Sequence, residues 1–213
     1  MKIAFSFLSM LDEDYLTSIK KFNELTNDND WIHYDVMDGE FVENTTYDYN
    51  LVREVSNVSN SFNDVHLMVN NPLKNIKDYV DVGANQITFH YESVDSKEII
   101  DIINEIKKYN IKVGISIKPN TDIEVLDEYL PYLDNILIMS VEPGRGGQKF
   151  LDNSLDKIRY LKRQQNKYHY LISVDGGIND NTSKLVKEAG ADVVIVGTYL
   201  ANNLDKETIE KLK

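Results

Sequence analysis

The chain has 213 residues, 42% hydrophobic and 27% charged, the make-up of a globular protein with room for one large domain or two small ones. Its net charge of -12 argues against nucleic acid as a partner, because phosphate backbones are bound by clustered Lys and Arg that this chain does not supply. Zero cysteines exclude disulfides, thiolate nucleophiles and cysteine metal ligands, and no apolar run approaches the roughly 20 residues that span a bilayer, so no membrane contact is expected.

In chain order, Met1 leads into IAFSFLSM, which lacks a basic leader and a small-residue cleavage site and reads as a first strand, not a signal peptide; the cytoplasm is the expected compartment. Strands are predicted at KIAFSF (2–7), WIHYDVM (31–37), DVHLMV (64–69), QITFHY (86–91), KVGISI (112–117), NILIMSV (135–141), HYLISVD (169–175) and VVIVGT (193–198). Between them apolar residues recur at helical spacing, as at Ile99, Ile102, Ile103 and Ile106, or at Leu155, Ile158 and Leu161. Strand alternating with helix eight times predicts parallel pairing, and so an α/β fold closed as a (β/α)8 TIM barrel, a single catalytic domain over residues 1–213. An open doubly wound sheet is the alternative, but the loop SMLDEDY carries no Gly-rich dinucleotide fingerprint. VDVGANQITF and VKEAGADVVIV each place a Gly turn between a helix end and the next strand, and no linker or composition break divides the chain.

In such a barrel the loops at the C-terminal ends of the strands build the site. Strand side chains alternate, so His33, Asp35 and Met37 of WIHYDVMDG share one face while Ile32, Tyr34 and Val36 take the other. Ser9 follows the first strand, His66 and Met68 lie on the third, Met139 on the sixth, and Asp175 ends the seventh. Taken singly, His66 reads as a hydrogen-bonded core histidine and Asp35 as a cap or a barrel-layer polar residue. Two imidazoles and two carboxylates at one mouth favour a metal site for Zn2+, Fe2+, Mn2+ or Co2+. His90 is either a fifth member or a hydrogen-bonded wall residue, and His169 reads as structural at the opposite end.

Glycine-rich segments end three adjacent strands: VEPGRGGQKF, DGGI and VGTY. Glycines let backbone N–H groups approach an anion, so this corner is a candidate phosphate site, against the plainer reading of tight turns. Lys118 in SIKPNT admits a Schiff-base role, although a loop lysine is the commoner case.

From first strand to last, IAFSFLS, WIHYDVMDGEFVEN, DVHLMV, LIMSVEPGRGGQKF, SVDGGI and VVIVGT together resemble the ribulose-phosphate 3-epimerases, (β/α)8 barrel enzymes of the pentose phosphate pathway. Position by position, the resemblance implies that His33, Asp35, His66 and Asp175 hold one divalent transition ion and that Asp35 and Asp175 are an acid/base pair. It further implies substrate contacts from Ser9 and His66, a sulfur-lined cap of Met37, Met68 and Met139, and a phosphate site around Gly144, Arg145, Gly146, Gly147, Gly176, Gly177, Gly197 and Thr198. The implied partner is a small ketose phosphate, with D-ribulose 5-phosphate and D-xylulose 5-phosphate interconverted, and a homo-oligomer is left open. The chain departs from the family pattern at Phe5 and Glu43, where proline is usual, in TTYDYN, which lacks a glycine, at Arg145, usually aromatic, and at Thr198, commonly serine. Three alternatives share the scaffold: a 3-epimerase of a six-carbon ketose 6-phosphate, a Schiff-base aldolase centred on Lys118, and a sugar-phosphate binding protein without turnover.

Overall fold

Branched and aromatic residues pack well on a pleated surface, and the runs rich in them form the strands. The computed structural model describes residues 1–10, 14–26, 30–46 and 49–213. Parts of the SMLDEDY and TTYDYN loops lie outside the described residues. The strands are β1 (Lys2–Ser6), β2 (Trp31–Asp38), β3 (Thr45–Thr46), β4 (Phe62–Met68), β5 (Gln86–His90), β6 (Lys112–Ile117), β7 (Asn135–Met139), β8 (Leu171–Asp175) and β9 (Val193–Val196). Pairing runs β1-β9-β8-β7-β6-β5-β4-β2, and β1 pairs back onto β2, which closes an eight-stranded parallel barrel. The fold is a (β/α)8 TIM barrel.

The connecting α-helices are α1 (Tyr15–Leu25), α2 (Asn50–Ser56), α3 (Ile76–Asp81), α4 (Ile99–Lys108), α5 (Ser154–Tyr168) and α6 (Thr182–Ala189), with α7 (Thr198–Asn202) and α8 (Lys206–Leu212) after the last strand. Helix α4 buries the expected stripe of Ile99, Ile102, Ile103 and Ile106 against the sheet, about 1.5–3 kcal/mol for each side chain removed from water. In α5, Ile158 and Leu161 are buried, while Leu155 is only partly covered. Gly83 and Gly190 take φ values of 105° and 114° at the ends of α3 and α6, the left-handed turn that glycine reaches without strain.

Three details depart from the sequence-based expectation. The alternation fails once: β6 is followed by two 3-10 turns, Ile123–Leu126 and Leu130–Tyr132, in place of an α-helix. Pro131 has no N–H to continue a helix, and its ring would clash with the carbonyl four residues back. Ile123, Leu126, Leu130 and Leu133 are nevertheless buried, so the turns cover the barrel as a helix would. A ninth strand, the two-residue β3, pairs antiparallel with the end of β2. The β2–β3 loop is shaped by Asp38, whose carboxylate accepts from the N–H groups of Glu40, Phe41 and Asn70 at 2.7–2.8 Å. Finally, His169 does not open a strand but ends α5 in the left-handed conformation, φ 62°, two residues before β8.

The main core lies between sheet and helices. Inside the barrel one side is apolar, with Ala4, Trp31, Leu137, Met139, Val193 and Ile195 in one cluster. The other side buries an uncommon number of polar groups: His33, Asp64, His66, Gln86, Thr88, His90, Ser116 and Asn135. Hydrogen bonds of His33 to Asp64, of Gln86 to Asp64 and between His66 and His90 offset part of their loss of water.

Candidate active site

Register brings the candidate ligands together. Asp35 of β2 is aligned with His66 of β4, His33 lies two residues before Asp35 on the same face, and Asp175 ends β8 beside Met139 of β7. His33, Asp35, His66 and Asp175 each offer one ligand atom, and these atoms all lie within 4.8 Å of one another.

Each imidazole is oriented from behind. His33 Nδ1 lies 2.7 Å from Asp64 Oδ2, and a carboxylate only accepts, so Nδ1 carries the proton and Nε2 is left with its lone pair. Asp64 is itself held by Gln86 Nε2 at 2.8 Å. His33 Nε2 is buried without a hydrogen-bond partner; it lies 3.4 Å from Asp35 Oδ1 but is not aligned for a bond. His66 Nδ1 lies 3.4 Å from the same Asp35 oxygen. The other Asp35 oxygen, Oδ2, accepts from Ser6 Oγ at 2.7 Å. Two imidazole nitrogens and two carboxylates thus face one small volume, with a buried nitrogen unpaired, and these donors fit a metal ion.

The electrostatics agree. Burial pushes Asp175 up to about 7, aided by the negative charge of Asp35. Burial opposes ionisation of Asp35 too, but the neighbouring His33 and His66 outweigh it and hold that carboxyl well below its usual range. For His33, burial disfavours the charge, yet Asp35 and Asp64 prevail and raise it well above 6.5.

Above the cluster opens a cavity of about 330 Å³. Ser9, Asp35, Met37, Met68, Met139, Gly144, Arg145, Gly146, Gly147, Asp175, Gly176, Gly177, Gly197 and Thr198 all line it, while His33 and His66 lie beneath, almost fully buried. The loops after β7 and β9 meet closely: a Cβ on Gly146 would come within 3.4 Å of Thr198 Oγ1. Gly177, at φ 63°, packs so tightly on the β7 loop that a Cβ would lie 2.5 Å from the Phe150 nitrogen. The β2–β3 loop crosses the mouth to this corner, where Asn44 Nδ2 donates to the Gly144 carbonyl at 2.7 Å and Val42 packs with Met37 and Met68.

Lys118 does not line the cavity. Its ammonium lies 4.0 Å over the Phe41 ring, which leaves the Schiff-base reading without a site. His90 is not among the four clustered ligands but stands behind His66. Sequence reasoning missed Ser6, Asp64, Gln86 and Glu92, which hold those ligands or their partners. Asp64 was visible in principle, because it precedes His66 by two residues and therefore shares its face.

A family model described as "Ribulose-phosphate 3 epimerase family" matches residues 2–201. A ribulose-phosphate 3-epimerase of Chlamydia pneumoniae is 38% identical over 175 residues, 80% of this chain and 76% of that protein. One of Aquifex aeolicus is 39% identical over 188 residues, 86% and 83% of the two chains. A solved 3-hexulose-6-phosphate synthase from Salmonella typhimurium superposes with a TM-score of 0.72 over 100% of this chain and 96% of its own, but at 18% identity it speaks for the barrel alone. No helix of the described residues is long and apolar enough to cross a membrane. Because the match runs from the first strand past the last at this identity, the chain belongs to the ribulose-phosphate 3-epimerase family.

Proposed function

We propose that this chain interconverts D-ribulose 5-phosphate and D-xylulose 5-phosphate by inverting carbon 3, with Asp35 and Asp175 as the two acid/base groups. One observation carries the mechanism: two carboxylates, the buried Asp35 and the half-buried Asp175, reach one small volume from β2 and β8, three strands apart around the barrel. Epimerisation next to a carbonyl removes a proton from one face and returns one to the other, so two groups must flank the carbon. Asp35 and Asp175, reaching that carbon from different strands, would each take or return a proton at one face. Ser6 fixes Asp35 through Oδ2, and position matters, since a misplaced base costs orders of magnitude.

The four clustered residues would hold one divalent transition ion, of the Zn2+, Fe2+, Mn2+ or Co2+ type. When bound, it supplies positive charge against which the negative enediolate develops. Met37, Met68 and Met139 line the cavity with apolar thioethers that offer no strong hydrogen bonds and exclude water from the reacting carbon. The glycines of the β7, β8 and β9 loops would receive the phosphate. A coupled assay comparing D-ribulose 5-phosphate with its six-carbon analogue, with metal analysis of the same sample, tests this reading; turnover of the six-carbon sugar alone would overturn the pentulose assignment.

Arg145 is exposed at the cavity rim, in a chain whose net charge of -12 otherwise repels an anionic substrate. Its contribution, screened by solvent, should be about 1 kcal/mol, so Arg145→Ala is expected to raise KM about fivefold with kcat little changed. Steady-state kinetics on both epimers checks this, and an unchanged KM would place the guanidinium outside the phosphate site.

A further inference from the structure

His33 is oriented by a carboxylate in direct contact, whereas His66 is backed by a second imidazole. His66 Nε2 lies 2.9 Å from His90 Nε2, and His90 Nδ1 lies 3.2 Å from Glu92 Oε2. Both rings are fully buried. Two facing ring nitrogens at this distance must be one donor and one acceptor, since two lone pairs or two N–H groups would repel. The proposed metal site requires the lone pair of His66 at Nδ1, the nitrogen that faces Asp35. The His66 proton then sits on Nε2 and is donated to His90 Nε2, which places the His90 proton on Nδ1, where the Glu92 carboxylate accepts it.

Glu92 is fixed for this task by its other oxygen. Oε1 accepts from the Lys118 N–H at 2.7 Å and from the Thr121 hydroxyl, both in the loop after β6, so Oε2 is left for His90. The Phe41 ring packs against His90 with centroids 4.8 Å apart. These contacts leave His90 one orientation.

We propose that His90 and Glu92 are positioning residues that hold His66 in the Nε2-protonated tautomer, with Nδ1 presented to the metal. This rests on the metal reading given above. The site is thereby served by two relays, each ending in a buried or half-buried carboxylate: Asp64 to His33, and Glu92 through His90 to His66. Such partners fix ring orientation and raise ligand basicity, and removing one weakens metal affinity about 10- to 100-fold.

The test measures zinc dissociation constants by chelator competition for the full chain, His90→Leu and His90→Gln, with circular dichroism and Tm to verify folding. Leu cannot accept from His66, whereas the Gln carbonyl can. The expected result is a 10- to 100-fold loss for Leu that Gln largely restores. Nitrogen-15 NMR of the zinc-loaded wild type provides a readout that needs no variant: the His66 resonances should show a protonated Nε2 and a metal-bound Nδ1. Wild-type zinc binding with equal affinity in a folded His90→Leu protein, or His66 bound through Nε2, overturns the proposal while leaving the metal site standing. A wild type that binds no zinc overturns both together.

Discussion

Metal-loaded Asp175→Asn and Asp35→Asn proteins are expected to lose net epimerisation by about a thousandfold or more, because proton transfer by a placed side chain contributes about 10²- to 10⁴-fold and each aspartate is proposed to serve one face of carbon 3. The two variants should differ in what survives. With one aspartate intact, the epimer whose proton it removes can still exchange carbon-3 hydrogen with deuterated solvent, while the other epimer cannot. Asn preserves shape and keeps an oxygen toward the cluster, so the Ser6 contact with Asp35 and the backbone around Asp175 need not move. Deuterium incorporation into each epimer, followed by NMR in samples of measured metal content, reads the two faces separately. A metal-replete Asp175→Asn protein that interconverts both epimers near the wild-type rate would show that Asp175 is not an acid/base group.

What the sequence made legible was whatever follows a short period. Alternation on β2 and β4 placed His33, Asp35, Met37, His66 and Met68 on one face, and in a closed barrel that face can only look inward. Glycines marked the loops after β7 and β8 because left-handed backbone, as at Gly144, Gly176 and Gly177, leaves few other choices. The missing α-helix after β6 was hidden because Ile123, Leu126, Leu130 and Leu133 keep helical spacing while a single proline breaks the hydrogen-bond ladder. The relays were hidden for another reason. Whether Gln86 reaches Asp64, or His90 reaches His66, depends on the stagger between neighbouring strands, which no single strand encodes. Periodicity gives the face, and register gives the partner.

Metal removal should silence the enzyme, and the loss should depend on pH in a defined direction. In the metal-free protein His33 is raised well above 6.5 and Asp175 is raised to about 7, so near and below neutrality both bind protons that an incoming cation must displace. Affinity therefore falls as pH falls through this range, by about tenfold per pH unit for each displaced proton, and levels off at higher pH where both are already lost. Chelation at neutral pH should abolish turnover, and adding back one divalent transition ion per chain should restore it. The folded state alone assembles the cluster, so binding also stabilises it: at a thousandfold excess over Kd the gain is about 4 kcal/mol, which for a chain of this size raises Tm by about 10 °C. His33→Ala removes a nitrogen that is buried and otherwise unpartnered, and should abolish both the Tm shift and the activity while the barrel remains folded. Zinc titrations at pH 6, 7 and 8, paired with thermal melts, measure the affinity slope and the stabilisation in one set of samples. Full turnover in a protein shown to be free of metal, or an affinity that rises as pH falls, would remove His33, Asp35, His66 and Asp175 from the role of ligands.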